Sequence, residues 1–214
     1  MQDIIEDIKI LFASFSSEKI VSIGKIPQSG SIRIYFRIIT ESKVYIATYG
    51  NNIKENLTFI NFSGHFKKCN CPVPEIYIAN KSCTIYIQQD FGDVSLLNKL
   101  EEHGYNPYVF SLFRESLGKL AYLQIKGDHG LDYDWCLTSK EFGKQAILSD
   151  LLYFKYYFLD TLQISYEKER LIDEFEALST YLSYADYKYF MFRDFQSRNI
   201  LIAEESVHFI DYQG

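Results

Sequence analysis

Two stretches near the end of the chain hold residue types that can do chemistry together. Phe190-Met-Phe-Arg-Asp194-Phe-Gln-Ser-Arg-Asn199-Ile-Leu-Ile is followed by Val207-His-Phe-Ile-Asp211-Tyr-Gln-Gly214. Asp194 ends a short apolar run, Asn199 lies five residues on across a polar loop, and Asp211 ends the strand that returns. Transfer of a phosphoryl group from a nucleotide needs one carboxylate to accept or orient the proton of the attacking hydroxyl. It also needs a second carboxylate and an amide oxygen to hold Mg²⁺ against the phosphates. Mg²⁺ takes hard oxygen ligands, which Asp and Asn supply. A five-residue step lets one loop aim both side chains into a cleft, and a hairpin brings Asp211 alongside. The plainer reading is an ordinary hairpin with surface Asp and Asn, residues common in loops. The flanking apolar strands, the spacing and the position late in the chain favour the chemistry.

The elements that must position these residues follow from periodicity. Residues 3–15 place Ile4, Ile5, Ile8, Leu11, Phe12 and Phe15 at helical spacing. Runs at 20–26, 32–40 and 43–48 are rich in β-branched and aromatic residues and are joined by short turns, so an antiparallel meander is predicted. A helix over 53–68 is broken by Pro72 and Pro74, and strands are predicted at 75–78 and 83–89. Helical periodicity then takes over at 96–103, 108–125, 141–159 and 167–182, and short strands return at 190–193, 200–202 and 207–210. The expected fold class is α+β. A β-rich lobe over 1–90 would carry nucleotide-binding elements, and a helical lobe over 91–214 the catalytic loop and metal hairpin. A cleft between two lobes is where ligands usually bind.

Composition excludes several alternatives. Hydrophobic residues at 47% and charged residues at 23% are those of a globular chain, not of a disordered or fibrous one. The 22 Lys and Arg against 28 Asp and Glu, with no basic block, argue against a nucleic-acid or anionic-membrane partner. The acidic start lacks the basic and apolar regions of a signal peptide, and no run of 18 apolar residues occurs, so a cytoplasmic protein is expected. Cys69-Asn-Cys71 has no second pair at zinc spacing and reads as free thiols. His65, His103, His129 and His208 are scattered, and Ser197 has no evident base.

The order of elements and these motifs resemble the aminoglycoside phosphotransferase and choline kinase branch of the protein-kinase-like fold. The nearest likeness is to bacterial amino-sugar kinases that phosphorylate N-acetylmuramate and N-acetylglucosamine at the anomeric position. It is carried by Arg193-Asp194-Phe195-Gln196-Ser197-Arg198-Asn199 and by Ile210-Asp211-Tyr212-Gln213-Gly214. Earlier, the segment from Ser29 to Arg37 is similar to that group's phosphate loop and following strand. Gln88-Gln89-Asp90-Phe91-Gly92-Asp93 is similar to its hinge, where adenine would dock on backbone. The resemblance implies ATP and Mg²⁺ as cofactors and an amino-sugar hydroxyl as acceptor. It implies Asp194 as catalytic base and Asn199 and Asp211 as Mg²⁺ ligands. Ser29, Gly30 and Ser31 would lie over the phosphates, and Gln89 and Asp90 beside the base.

The sequence departs from that pattern in places. Phe192 stands where the motif has His. No strand lysine for the phosphates lies in 44–49, which leaves Lys43, Arg33 or Arg37 as the substitute cation. Glu55 reads more readily as a solvated helix acid than as that cation's partner. The sequence ends at Gly214, three residues past Asp211. Family members continue with further helices, so an incomplete helical lobe is expected. A catalytically inactive kinase-like binding module is the second reading.

Overall fold

The computed structural model describes residues 1–27, 32–186 and 188–212. Five strands form one antiparallel sheet: β1 (Ile20–Lys25), β2 (Ile34–Thr40), β3 (Val44–Tyr49), β4 (Ile76–Ala79) and β5 (Ile85–Gln89), in the order β1-β2-β3-β5-β4. Side chains alternate between the two faces of a strand. The register pairs Phe36 with Ala47 and Ala47 with Ile87, so these residues share a face. Helix α1 (Gln2–Phe15) buries Ile8, Leu11 and Phe12 against that face, which also holds Ile38, Tyr45 and Ile85. The opposite face carries Tyr35, Arg37, Ile46, Thr48, Tyr86 and Gln88. Helix α2 (Ile53–Lys68), capped by Asn52 on the Glu55 N–H, meets it through Phe59 and Tyr86, whose ring centroids lie 5.5 Å apart.

The turn between β2 and β3 is pinned by Glu18, whose carboxylate accepts from the hydroxyls of Thr40, Ser42 and Tyr45. The Thr40 and Ser42 hydroxyls hold this carboxyl below its ordinary value. A depressed folded-state pKa contributes stability above the unfolded value that is lost as pH falls through the folded one. Glu18→Gln is therefore expected to flatten the stability profile below about pH 4, read as denaturant midpoints across pH. A profile identical to wild type would contradict this.

Past the sheet, α3 (Leu96–His103) starts at a reciprocal capping box between Ser95 and Asn98. Helix α4 (Pro107–Tyr122) starts with Asn106 as cap and Pro107 in its first turn, and it runs on through a wider turn at Leu123–Gly127. Strands β6 (Ile200–Ala203) and β7 (Ser206–Phe209) form a separate hairpin. Its two loop residues, Glu204 and Glu205, have φ of 50° and 59°. That is the geometry of a type I′ turn, which favours Asn-Gly. Replacing Glu204-Glu205 by Asn-Gly is expected to raise stability by about 1 kcal/mol, visible as a higher denaturant midpoint; a lower midpoint would refute it.

The chain divides into two compact units, Met1–Leu137 with Phe192–Gly214, and Thr138–Met191. In the second, α5 (Lys144–Phe154) continues into a wider turn at Lys155–Leu159 and packs on α6 (Lys168–Ser183). Lys144 bridges to Glu176 at 3.1 Å. Among the described residues, no helix is long and apolar enough to cross a membrane.

The predicted helices at 53–68 and 96–103 match α2 and α3 end to end. The strand predicted at 190–193 is absent. Phe192 there packs edge-on against Phe195, Phe209 and Tyr212 instead. Its apolar side chain serves a core, and the backbone joins no ladder.

Candidate functional site

The loop from Asp194 to Asn199 is folded by its own backbone. The Gln196 N–H donates to the Asp194 carbonyl at 2.8 Å, and the Asn199 N–H to the Gln196 carbonyl at 2.8 Å. The Asn199 side-chain amide then donates back to the Asp194 carbonyl at 3.1 Å. This commits the amide nitrogen to the loop and leaves the side-chain oxygen as the atom able to accept or ligate. Asn199 is buried, only 8% exposed. Its carbonyl accepts the Ile210 N–H at 3.1 Å, which brings the residue before Asp211 onto the same loop. Asp194, Asn199 and Ile210, the residue before Asp211, are thus held in one short hydrogen-bonded chain.

Asp211 has φ of 61°, the left-handed region that L-residues other than Gly and Asn or Asp seldom occupy. Its side chain is half-exposed. The next residue anchors it. Tyr212 is buried, stacked on Phe59 at 5.5 Å and edge-on to Phe66 at 5.5 Å. Burial pushes the Tyr212 phenol well above its ordinary value, so it stays protonated.

Arg33, just ahead of β2, reaches the same place. Its Nε lies 3.1 Å from Glu55 Oε1, and its Nη2 3.6 Å from Asp211 Oδ1. Nη1 donates to the Tyr86 hydroxyl at 3.4 Å. The guanidinium lies 5.8 Å from the Phe59 ring centroid, and Arg33 is only 4% exposed. Burial opposes its charge, but Tyr86, Tyr35 and Glu55 around it outweigh that and raise its proton affinity. Gly50 makes room for this: a Cβ there would fall 2.8 Å from Asn56 Oδ1 and 3.1 Å from Arg33 Cγ. Asn56 in turn donates to the carbonyls of Gly50 and Cys83, fixing α2 against the sheet.

Arg33 is therefore the cation, of the three the sequence left open, that faces the Asp211 carboxylate. Glu55, expected as a solvated acid, is instead the partner of Arg33, with a side chain 16% exposed. The pairing spans 22 residues and no local pattern signals it. Arg37 is engaged elsewhere: it bridges to Asp90 at 2.6 Å and to Asp93 at 2.5 Å. The Asp93 carboxyl is held below its ordinary value by that guanidinium.

Gln89 and Asp90, also expected at the site, make their side-chain bonds elsewhere. Ser29, Gly30 and Ser31 lie outside the described residues. Asp90 accepts from Arg37 and from the Gly92 N–H, and Gln89 from Lys67 and the Glu75 N–H. Both side chains are thus committed within the protein, and the Gln89 N–H donates to the Glu75 carbonyl at 2.9 Å.

The β6–β7 hairpin is fastened to α4 on its outer edge. Lys119 Nζ donates to Ser206 Oγ at 2.6 Å and to the Val207 carbonyl at 3.0 Å, and Glu115 accepts from Ser206 at 2.8 Å. These bonds hold the turn end of the hairpin, opposite the end that carries Asn199 and Asp211. Among the described residues, no group of three or more His, Cys, Asp or Glu is arranged to hold a metal. One carboxylate and one amide oxygen nevertheless fit Mg²⁺, which keeps several waters and takes its remaining ligands from substrate phosphates.

No protein-family model and no curated protein matches the sequence. Solved structures do match, and they show the fold. Aminoglycoside phosphotransferase APH(4)-Ia aligns with a TM-score of 0.62 at 12% identity, over all of this chain and 72% of that one. Ethanolamine kinase from Plasmodium vivax aligns with a TM-score of 0.59 at 14% identity, over 90% of this chain and 55% of that one. A thermostable mutant of APH(4)-Ia, in ternary complex with AMP-PNP and hygromycin B, aligns with a TM-score of 0.60 at 11% identity, over 91% of this chain and 67% of its own. The fold is the protein-kinase-like one these small-molecule kinases share, with a five-stranded antiparallel sheet followed by helices. The chain spans just over half the length of the ethanolamine kinase.

Proposed function

We propose that the chain is the nucleotide- and metal-binding part of an ATP- and Mg²⁺-dependent small-molecule kinase, with an amino-sugar hydroxyl as acceptor. The observation that carries this is the buried Arg33, bridged to Glu55 and facing Asp211 beside Asn199 and Asp194. A buried guanidinium between two carboxylates is costly to maintain. A polyanion arriving in front of it would share the guanidinium charge with Glu55 and Asp211. The named relatives of the same fold, one crystallised with an ATP analogue, support a nucleotide. The motif from Arg193 to Asn199 supports the amino-sugar acceptor by resemblance.

In this reading Asp194 orients the acceptor hydroxyl and takes its proton. The hydroxyl oxygen forms the new bond to the γ-phosphorus, the bond to the bridging oxygen breaks, and ADP leaves. Bound Mg²⁺, held by Asn199 and Asp211, would neutralise phosphate charge as the bridging oxygen departs. Arg33 counters charge on the nucleotide phosphates, and Glu55 keeps its guanidinium aimed. Ser29, Gly30 and Ser31 would cover the phosphates, and the backbone at Gln89 and Asp90 would receive the base. Residues 1–90 then act as the nucleotide lobe.

The test is transfer of label from γ-labelled ATP to a panel of sugars that includes N-acetylmuramate and N-acetylglucosamine. Labelled, acid-labile sugar phosphate from an N-acetylated amino sugar is the expected product. Label transfer to choline or ethanolamine but to no sugar would overturn the acceptor class. Tight Mg²⁺-ATP binding with no transfer to any acceptor would favour the inactive binding module.

A further inference from the structure

We infer that the hydroxyl pair Tyr212–Ser63 is a lock that sets the position of Asp211, and hence the affinity of the site for its divalent cation. The inference rests on the proposed role of Asp211 as a metal ligand. Tyr212 Oη and Ser63 Oγ lie 2.5 Å apart, and both residues are at most 1% exposed. Ser63 sits on α2, 149 residues from Tyr212 in sequence. The direction of the bond follows from proton counting. The Ser63 hydroxyl has one proton, and it is donated to the Phe59 carbonyl at 2.6 Å. Tyr212 must therefore be the donor to Ser63.

This bond does what the ring alone cannot. The aromatic contacts with Phe59, Phe66 and Phe192 hold the Tyr212 ring by shape, and a phenylalanine would satisfy them equally. Only the hydroxyl fixes how far the ring enters and so where the preceding Cα lies. Asp211, with φ of 61°, is held through both of its neighbours. On one side Ile210 is tied to the Asn199 carbonyl, and on the other Tyr212 is tied to α2. The same helix carries Glu55, the partner of Arg33. One helix thus positions both the cation that faces the phosphates and the carboxylate that holds the metal.

The test compares the wild type with Tyr212→Phe, Ser63→Ala, the double variant and Asp211→Ala. Calorimetric titration with ATP gives two quantities: affinity without metal, and the Mg²⁺ concentration that half-saturates the enhancement. Tyr212→Phe and Ser63→Ala are each expected to raise the half-saturating Mg²⁺ by about tenfold, and the double variant no further, because both remove one bond. Affinity without metal should be unchanged. A wild-type Mg²⁺ response in Tyr212→Phe, additive effects in the double variant, or an equal loss of metal-free affinity would each overturn the lock. Ser63→Ala keeps the question answerable if Tyr212→Phe unfolds. Failure of the underlying reading looks different: the wild type and Asp211→Ala would then respond to Mg²⁺ alike, and the lock would fall with it.

Discussion

Asp194→Asn should lower turnover by at least about a hundredfold while leaving ATP affinity within about twofold of wild type. The substitution keeps the shape of the side chain and removes its ability to take a proton. The loop around it is built from backbone bonds: Gln196 and the Asn199 side chain both use the Asp194 carbonyl, not its carboxylate. The variant should therefore fold and keep Asn199 in place. Steady-state rates of sugar phosphorylation, set beside calorimetric ATP binding, separate the two effects. Normal turnover would remove Asp194 from the chemistry. Loss of ATP binding in proportion to rate would make it a binding residue instead.

Arg33→Met should be the most damaging single change to the nucleotide site. It leaves Glu55 largely buried beside Asp211 with its cation gone. Breaking a buried pair from one side costs about 3–5 kcal/mol, because the remaining charge stays unpaired. Apolar replacement of both partners is often near neutral. The double variant Arg33→Met with Glu55→Leu should therefore recover most of the lost stability, yet bind Mg²⁺-ATP at least about tenfold more weakly than wild type. Denaturant midpoints and titrations on the same samples make the comparison. Full recovery of nucleotide affinity along with stability would mean that Arg33 is structural only.

The contrast between local and distant information explains what was legible in the sequence. Helices α2 and α3 match their predicted ends, and in the structure Asn52 and Ser95 cap their starts. The meander of β1, β2 and β3 could be read because turn residues separate runs of β-branched side chains. Asp194, Asn199 and Asp211 were legible as a group because a loop and a hairpin join them at short range. Arg33 was one candidate among three, and Glu55 looked like any exposed helix acid. Their pairing depends on how α2 lies on the sheet, which depends on Asn56, Gly50 and Phe59 together. The strand expected at 190–193 failed for a related reason. An apolar run predicts burial, but only a neighbouring strand decides whether burial means a ladder, and Phe192 buries itself among Phe195, Phe209 and Tyr212.

The central claim is that this chain binds a nucleotide through a divalent cation held at Asp211. Its most direct test is calorimetric titration of the wild type and Asp211→Ala with ATP, in the presence and absence of Mg²⁺. The expected result is ATP binding by the wild type that Mg²⁺ strengthens by at least about tenfold, and a variant in which that enhancement is gone. Binding that ignores Mg²⁺ in both proteins, or no binding in either, would contradict it.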